Sequence, residues 1–448
     1  MDDNNMIYIL LGTIIIFFIL RVPLILLAPK GVDVFFHLIS AKKFRRGRAP
    51  KKLDSFVLYN EYTHPPLYHF LIFLTPDNLK EKMPLLIDIM FDFGSFLLCY
   101  FLAKDLFGEQ TAILATFIYS VTPINFIEGI SQTPRPVGIF FYNLSIILLL
   151  NNTTYLNVLA SFSIALLLLT HKMSTQALAF SVLLLFPLAI QINFTFLLFV
   201  ILGVILALVL SNRFYIIILK DHIGILKFHF KYGSWKDNKK SFGKPLEIVK
   251  FEPYCFIPLI GAIFNLNWII DLNYFFAWYF GLLALFFLWR WGDNYRYLSF
   301  ISIPTSIISA QFLSNNIFFF IFPPLFISIL LIIKNIINFI KCPSYSYLSK
   351  IVFPEDSKIL VFPTKLVYET AYYSRQKIIC GGGNKDSLKF EYEELIPIVK
   401  KDICLFLSKY NITHIFIEKS QIEIIKKIPN NFYCKSEINN YILYEKKL

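Results

Sequence analysis

The run Gly31–Leu71, GVDVFFHLISAKKFRRGRAPKKLDSFVLYNEYTHPPLYHFL, follows the first hydrophobic segment and precedes the second long one. In an otherwise oily chain it gathers Asp33, His37, Glu61, His64 and His69, and eight Lys or Arg stand between Lys30 and Lys52. A charge in hydrocarbon costs roughly 2.5–3.5 kcal/mol on insertion scales, so membrane proteins keep ionisable groups where water or substrate reaches them. The stretch reads as a polar loop that carries the chemistry, with the apolar segments around it as its wall.

The bulk numbers agree. The 448 residues are 56% hydrophobic and only 16% charged, with mean hydropathy +0.59, against about 25% charged in soluble domains. Most of the chain therefore belongs in a bilayer. The net charge of +13 is concentrated in Lys30–Lys52, Arg213–Lys250 and the tail after Lys341. In a polytopic protein such an excess suits anionic membrane lipids or a phosphate-bearing substrate; nucleic acid is not expected as a partner. Cys99, Cys255, Cys342, Cys380, Cys404 and Cys434 form no CxxC pair and read as ordinary thiols. The first apolar run, Met6–Ala28, is interrupted by Arg21 and Pro23. Its acidic start (Asp2, Asp3) and the lack of a small-residue cleavage site make it a retained span.

A span needs about 20 apolar residues. On that basis the chain is a polytopic α-helical membrane protein of about eleven spans, near 6–28, 83–104, 110–128, 135–151, 154–171, 174–191, 193–212, 253–270, 272–291, 297–314 and 315–340. Pro66–Leu74 is too short to cross and reads as a helix at the membrane surface. Parity then puts the first loop (29–82), Glu128–Arg135, His171–Lys172, a second large loop (213–252), Gly292–Arg296 and everything after Lys341 on one face. The transmembrane domain is thus 1–340. Residues 341–448 change composition: β-rich runs at Lys358–Phe362, Lys377–Cys380, Thr413–Glu418 and Tyr441–Tyr444, with helical spacing over Leu388–Tyr410, indicate a soluble α/β domain. Gly381-Gly382-Gly383 reads as a plain flexible turn or, less specifically, as a phosphate seat.

Asp33 and His37 share a face if they lie on a helix. Asp33 is either a general base for an acceptor hydroxyl, a role worth roughly 10²–10⁴-fold, or a cap of the next helix. His64, fixed by Pro65 and Pro66, suits a metal, a phosphate or a sugar hydroxyl, or is a solvated loop residue; His69 reads as interfacial. Arg135, His171, Lys172 and Arg296 stand at span ends on the same face. An arginine fork suits a phosphate, although single cations at span ends are more often snorkelling anchors.

These residues together resemble the GT-C fold glycosyltransferases that use polyprenyl-phosphate sugars, such as protein O-mannosyltransferases and aminoarabinose transferases. The shared features are the acid after the first span (Asp33 in GVDVFFHL), the long first loop, His64-Pro65-Pro66-Leu67, Arg296-Tyr297 in DNYRYL, and the α/β tail. The resemblance implies a hexosyltransferase-type enzyme in the cell membrane. It would move a sugar from a polyprenyl phosphate to an extracytoplasmic protein, lipid or glycan. Asp33 would be the catalytic acid or base and Arg296 a donor-phosphate ligand. Beside these, the topology adds Arg135 and Lys172, and His37, His64, His171 and Tyr297 complete the candidate substrate-binding residues. A second acid beside the first is missing, because Val34 follows Asp33. If a divalent cation (Mg or Mn) is used, Glu128 is the remaining partner for Asp33. The tail has no tryptophan, against a WWDYG-type acceptor motif and transfer to asparagine. The positive-inside rule would put the basic face in the cytoplasm; the resemblance puts it outside, and long loops translocate largely regardless of charge. The competing functions are a transporter or flippase of a phosphate-bearing lipid or anion, and a catalytically silent scaffold of the same fold.

Overall fold

The computed structural model describes residues 3–151, 153–190, 195–232, 245–264, 273–288, 294–315, 318–342, 348–349, 351, 353–354, 356–395, 403–421, 424, 426–438 and 440–447. The chain forms two compact units. One comprises Met1–Pro29, Lys82–Ile217 and His229–Lys341; the other comprises Lys30–Glu81, Ile218–Phe228 and Cys342–Leu448. The sequence reading draws one boundary at 340/341 and leaves the first loop with the membrane domain, whereas here that loop groups with the tail.

In chain order the first helices are α1 (Asp3–Arg21), α2 (Asp33–Lys42), α3 (Leu67–Phe73), α4 (Met83–Phe107), α5 (Glu109–Val121), α6 (Pro123–Gly129), α7 (Arg135–Leu150), α8 (Thr154–Leu168), α9 (Lys172–Ile190), α10 (Thr195–Leu210), α11 (Phe214–Tyr232), α12 (Pro245–Phe251) and α13 (Phe256–Phe264). Helices at Asn273–Leu288, Ser302–Asn315 and Phe322–Lys341 complete the first unit. Prolines sit at the starts of α4, α6 and α7, where a missing N–H costs nothing. Gly108, at φ +85°, ends α4, a conformation glycine adopts without penalty.

Among the described residues, three helices are long and apolar enough to cross a membrane: Asn5–Leu27, Met83–Phe107 and Phe322–Lys341. The number is six if each of three bent pairs is one span. Several stretches of the expected eleven spans are bent or short among the described residues, for physical reasons. The stretch 110–128 breaks by 64° because Thr122, extended ahead of Pro123, cannot stay helical. The stretch 297–314 bends by 59° after a 3₁₀ segment, Asn294–Phe300. Arg135–Leu150 and Thr154–Leu168, among others, are shorter than a full crossing. Within the expected second large loop, 214–232 is helical and bends 113° from the apolar helix before it. Residues 233–244, 265–272 and 289–293 lie outside the described residues, so the loop centre, the end of the span expected at 253–270 and both ends of the one expected at 272–291 do as well.

The first unit buries Phe17, Phe96 and Trp278 and also exposes large apolar side chains, among them Ile15, Ile19, Phe101 and Val209. Hydroxyls and amides are inside, as in Ser145 Oγ to Ser163 Oγ at 3.0 Å and Thr111 Oγ1 to Gln311 Oε1 at 3.2 Å. In lipid, polar groups must find partners within the protein, and small residues let helices approach. A Cβ on Gly203 would lie 2.6 Å from Ile164 Cγ2, and one on Gly138 would lie 2.3 Å from Ser174 Oγ.

The second unit is built on a five-stranded sheet. Its strands are β1 (Lys358–Phe362), β2 (Lys377–Ile378), β3 (His414–Glu418), β4 (Phe432–Ile438) and β5 (Tyr441–Lys446), in the order β2-β1-β3-β5-β4. β2-β1-β3 are parallel and β3-β5-β4 antiparallel. The sequence marks four of these strands and misses β4. Leu360, Phe362, Ile403, Phe406, Ile415 and Ile417 form its core, with Val57 and Leu58 of the first loop packed on it. The expected helix over Leu388–Tyr410 consists of Lys385–Phe390, a π turn at Glu391–Leu395, and Ile403–Lys409; residues 396–402 lie outside the described residues. A short helix over Val367–Ser374, unmarked in the sequence, packs on α2 through Phe35–Tyr372 and Phe35–Tyr373 ring contacts at 5.5 and 5.4 Å.

Candidate active site

Asp33 stands in the first turn of α2, where the helix dipole favours an acid. The N-cap is Val32, and no side-chain cap bond is made there, so the capping reading of Asp33 does not hold. From Val34 to Ala41 every residue of α2 is buried, while Asp33 is exposed. Its carboxylate makes no hydrogen bond among the described residues.

One turn on, His37 is buried, and its Nδ1 lies 2.8 Å from His69 Nε2. His69 Nδ1 lies 2.5 Å from the Tyr62 hydroxyl. His69 is 1% exposed, so it is an internal clamp between α2 and α3 and not the interfacial residue its position suggests. Burial, then the neighbouring His37, holds its imidazole well below the usual histidine range. Burial likewise raises the Tyr62 phenol. Tyr62, His69 and His37 thus form a continuous chain of ring contacts that ties α3 to α2, the helix that carries Asp33.

The tail grips the same loop. Val57 and Leu58 donate N–H bonds to the Ile378 and Ile379 carbonyls at 2.9 Å each, and Ile378 donates to the Ser55 carbonyl at 2.9 Å, so loop residues 55–58 run beside β2. Asn384 Nδ2 donates to the Tyr59 and Glu61 carbonyls at 2.7 and 3.1 Å, while its Oδ1 caps Ser387 N–H at 2.9 Å. The glycine triplet is the seam of this contact. A Cβ on Gly382 would lie 2.1 Å from the Tyr59 carbonyl oxygen. At Gly383, φ +64°, it would lie 2.9 Å from His64 Nε2. His64 itself packs on Phe36 at 4.5 Å.

Behind the seam, Ser387 Oγ donates to Glu391 Oε1 at 3.2 Å, and Cys380 Sγ lies 3.2 Å from Ser387 Oγ and 3.7 Å from Glu391 Oε1. Burial pushes the Glu391 carboxyl up to about 7, against the pull of the Ser387 and Cys380 bonds. A carboxyl raised above its unfolded value destabilises the fold as pH rises from that value through the folded one, and fully above it. Glu391→Gln is therefore expected to raise the melting temperature more at pH 8 than at pH 5. Equal shifts at both pH values would show that Glu391 titrates normally.

The other expected site residues belong to the first unit. Glu128 Oε1 accepts from Arg135 Nη1 at 2.9 Å, and Arg135 Nε donates to Thr133 Oγ1 at 3.0 Å. Asp88 Oδ2 accepts the Thr133 N–H at 3.1 Å, pinning the turn before α7. His171 lies just before α9; its Cβ is 2.9 Å, and Ser174 Oγ 2.3 Å, from where a Cβ on Gly138 of α7 would sit. Glycine at 138 thus lets the starts of the helices bearing Arg135 and Lys172 meet. Tyr297 is buried and its hydroxyl donates to Gln176 of α9. Arg296 is half-buried, its guanidinium 5.9 Å from the Tyr295 ring, which stacks on Phe251 at 4.3 Å.

Sequence reasoning missed the Arg21–Asp92 pair. Arg21 is fully buried, with Nε 2.7 Å from Asp92 Oδ2, and Asp92 Oδ1 accepts from the Tyr119 hydroxyl at 2.9 Å. A Cβ on Gly129 would lie 2.4 Å from Asp92 Oδ2. The signal was present: an arginine inside a span calls for an acid on another.

The sequence offers Glu128, with Asp33, as ligands for a divalent cation. Glu128 Oε2 is buried without a partner among the described residues, as a ligand atom would be. The Arg135 guanidinium, however, already supplies the positive charge at that carboxylate. Among the described residues no group of three or more His, Cys, Asp or Glu is placed to hold a metal.

No protein-family model matches the chain, and no curated protein matches it in sequence. Solved structures do match. ArnT from Cupriavidus metallidurans bound to undecaprenyl phosphate is similar at TM-score 0.65 and 11% identity, over 99% of this chain and 98% of that one. The oligosaccharyltransferase AglB from Archaeoglobus fulgidus, in complex with an inhibitory peptide and a dolichol-phosphate, is similar at TM-score 0.64 and 12% identity, over 93% and 70%. The Archaeoglobus fulgidus oligosaccharyltransferase in complex with Zn and sulfate is similar at TM-score 0.57 and 13% identity, over 98% and 73%. Across almost its whole length, and at identities that speak of fold alone, this chain shares the architecture of ArnT and AglB, the GT-C fold expected from GVDVFFHL, HPPL and DNYRYL.

Proposed function

We propose that the protein is an integral membrane glycosyltransferase that moves a sugar from a polyprenyl-phosphate donor to a hydroxyl on an extracytoplasmic protein, lipid or glycan. The observation that carries this reading is Asp33: an exposed carboxylate without a hydrogen bond among the described residues, on a helix otherwise buried and clamped by Tyr62, His69 and His37. The similar structures support the donor class, since ArnT is bound to undecaprenyl phosphate and AglB is in complex with a dolichol-phosphate.

In this reading Asp33 takes the proton of the acceptor hydroxyl. The acceptor oxygen attacks the anomeric carbon, the bond from that carbon to the phosphate oxygen breaks, and polyprenyl phosphate leaves with the electron pair. In the second unit, His64 is the candidate substrate contact beside Asp33 and His37 stands on the same helix as Asp33. The first unit's candidates for substrate binding are Arg296, Lys172 and Arg135, suited to an anionic phosphate, with His171 and Tyr297; part of the Arg135 charge is already matched by Glu128. No step is routed through a metal.

Purified protein reconstituted in sealed vesicles of known orientation is expected to consume a radiolabelled short-chain polyprenyl-phosphate sugar and release polyprenyl phosphate. Consumption should be confined to vesicles with the extracytoplasmic face outward. Donor that is bound or carried across without being consumed would instead make the protein a transporter or flippase.

A further inference from the structure

Three arginines share one tight turn of the first loop. Arg45 N–H donates to the Arg48 carbonyl at 3.3 Å, and Arg48 N–H donates to the Arg45 carbonyl at 2.9 Å. With φ +49° at Arg46 and +72° at Gly47, both central residues are left-handed, as in a type I′ hairpin turn. Arg45, Arg46, Arg48, Lys51 and Lys52 are all exposed. Lys43 before them pairs with Asp54 at 3.2 Å, and Lys52 stands opposite Glu61 across an isolated bridge. Arg45, Arg46, Arg48 and Lys51 pair with no acid among the described residues.

The turn lies on apolar side chains. A Cβ on Gly47 would sit 3.6 Å from Phe70 Cε2, and Phe70 stacks on Phe73 of the same helix, α3, at 6.3 Å. Phe44, just before the turn, packs on Phe73 and His69 at 6.0 and 6.5 Å. Phe70, Leu71 and Phe73 are partly exposed, and Leu74, which ends α3, is 62% exposed. Unmatched arginines beside exposed leucine and phenylalanine are what a membrane interface takes: cations at the headgroups, apolar side chains at the acyl boundary. A soluble anion would use the charge and leave the apolar side chains in water. The chain path agrees. The helix Asn5–Leu27, long and apolar enough to cross, ends three residues before the segment Lys30–Glu81, and the next such helix, Met83–Phe107, begins two residues after it.

We infer that the Arg45–Arg48 turn and the end of α3 form an interfacial anchor that docks on the headgroups of anionic phospholipids. The guanidinium groups take the lipid phosphates, and Leu74 with the edges of Phe70 and Phe73 enters the boundary below them. The inference depends neither on Asp33 being the base nor on which face of the membrane the loop occupies. It gives the basic charge of the loop an occupant of its own, separate from the sugar donor. Because Phe44 packs on α3 and α3 is tied to α2 by His69 and His37, an anchored turn also steadies the helix that carries Asp33.

The test follows amide hydrogen exchange over residues 44–53 of the full-length protein, in nanodiscs of phosphatidylcholine with and without phosphatidylglycerol. Phosphatidylglycerol should slow exchange of these amides about tenfold or more, the worth of two or three cations held near an anionic surface, while the amides of β3 serve as a folding reference. The variant Arg45→Gln/Arg46→Asn/Arg48→Gln removes three charges and keeps the turn, because asparagine before Gly47 favours the same left-handed pair. Its exchange should be the same in both lipids. Equal exchange of the wild type in the two lipids overturns the proposal, and that arm stands whether or not the variant folds. Slowing that the variant retains overturns it too, by placing the lipid contact elsewhere. Slowing of the same size from a single equivalent of polyprenyl phosphate in phosphatidylcholine overturns it by making the turn a donor contact.

Discussion

Asp33→Asn is expected to lower the rate of sugar transfer by about 10²–10⁴-fold, the usual worth of a positioned general base, with the melting temperature nearly unchanged. Asparagine keeps the size of the side chain and removes only the basic oxygen. In the folded protein that oxygen makes no hydrogen bond among the described residues, and the side chain is exposed. The foreseeable stability cost is the lost interaction of one acid with a helix N-terminus, about 0.3–1 kcal/mol. The measurement is initial rate per folded molecule, with donor binding followed separately. Binding should survive, because the amide takes no charge from the residues proposed to hold phosphate. Transfer at the wild-type rate would remove Asp33 from the chemistry, whatever the fold.

The sequence made this site partly legible. The first loop announced itself because ionisable residues are rare in such a chain, and Asp33 and His37 at i, i+4 are placed on one helix by spacing alone. Strands β1, β3 and β5 were visible as short β-branched and aromatic runs. β4, FYCKSEI, was hidden because its apolar residues are diluted by exposed polar ones. The helix Phe214–Tyr232 was read as loop because Lys220, Asp221, Lys227 and Lys231 break its hydropathy. Part of that polarity supports the tail, since Asp221 Oδ1 accepts the Lys385 N–H at 2.9 Å. What no local pattern carries is the pairing of distant segments. His69 met His37 across 32 residues, and Asn384 reached Tyr59 across 325. The glycine triplet read as a turn because turns are what glycines usually make; its actual reason, a carbonyl oxygen 2.1 Å from any Cβ at 382, lies on a different part of the chain.

Arg21→Leu should have the largest effect on folding. It would strand Asp92, 5% exposed, in an apolar bundle with only the Tyr119 hydroxyl as partner. Removing one member of a buried ion pair costs about 3–5 kcal/mol, because the other charge is left uncompensated; a marginal fold has little more than that to lose. The expected result is a sharp drop in the yield of folded protein and in the melting temperature in detergent. Arg21 does more than neutralise: its guanidinium lies 3.9 Å over the Phe17 ring and reaches the Phe17 and Ser120 carbonyls at 3.4 Å. The double variant Arg21→Leu/Asp92→Asn should therefore recover the electrostatic part of the loss and leave the packing part. Recovery of half or more of the lost melting temperature would assign the cost to the stranded carboxylate. No recovery would assign it to the ring and carbonyl contacts, and an unaffected single variant would show that the pair is not a support of the bundle. In every case activity per folded molecule should fall far less than at Asp33, because both side chains are buried and hold the helices of the bundle together.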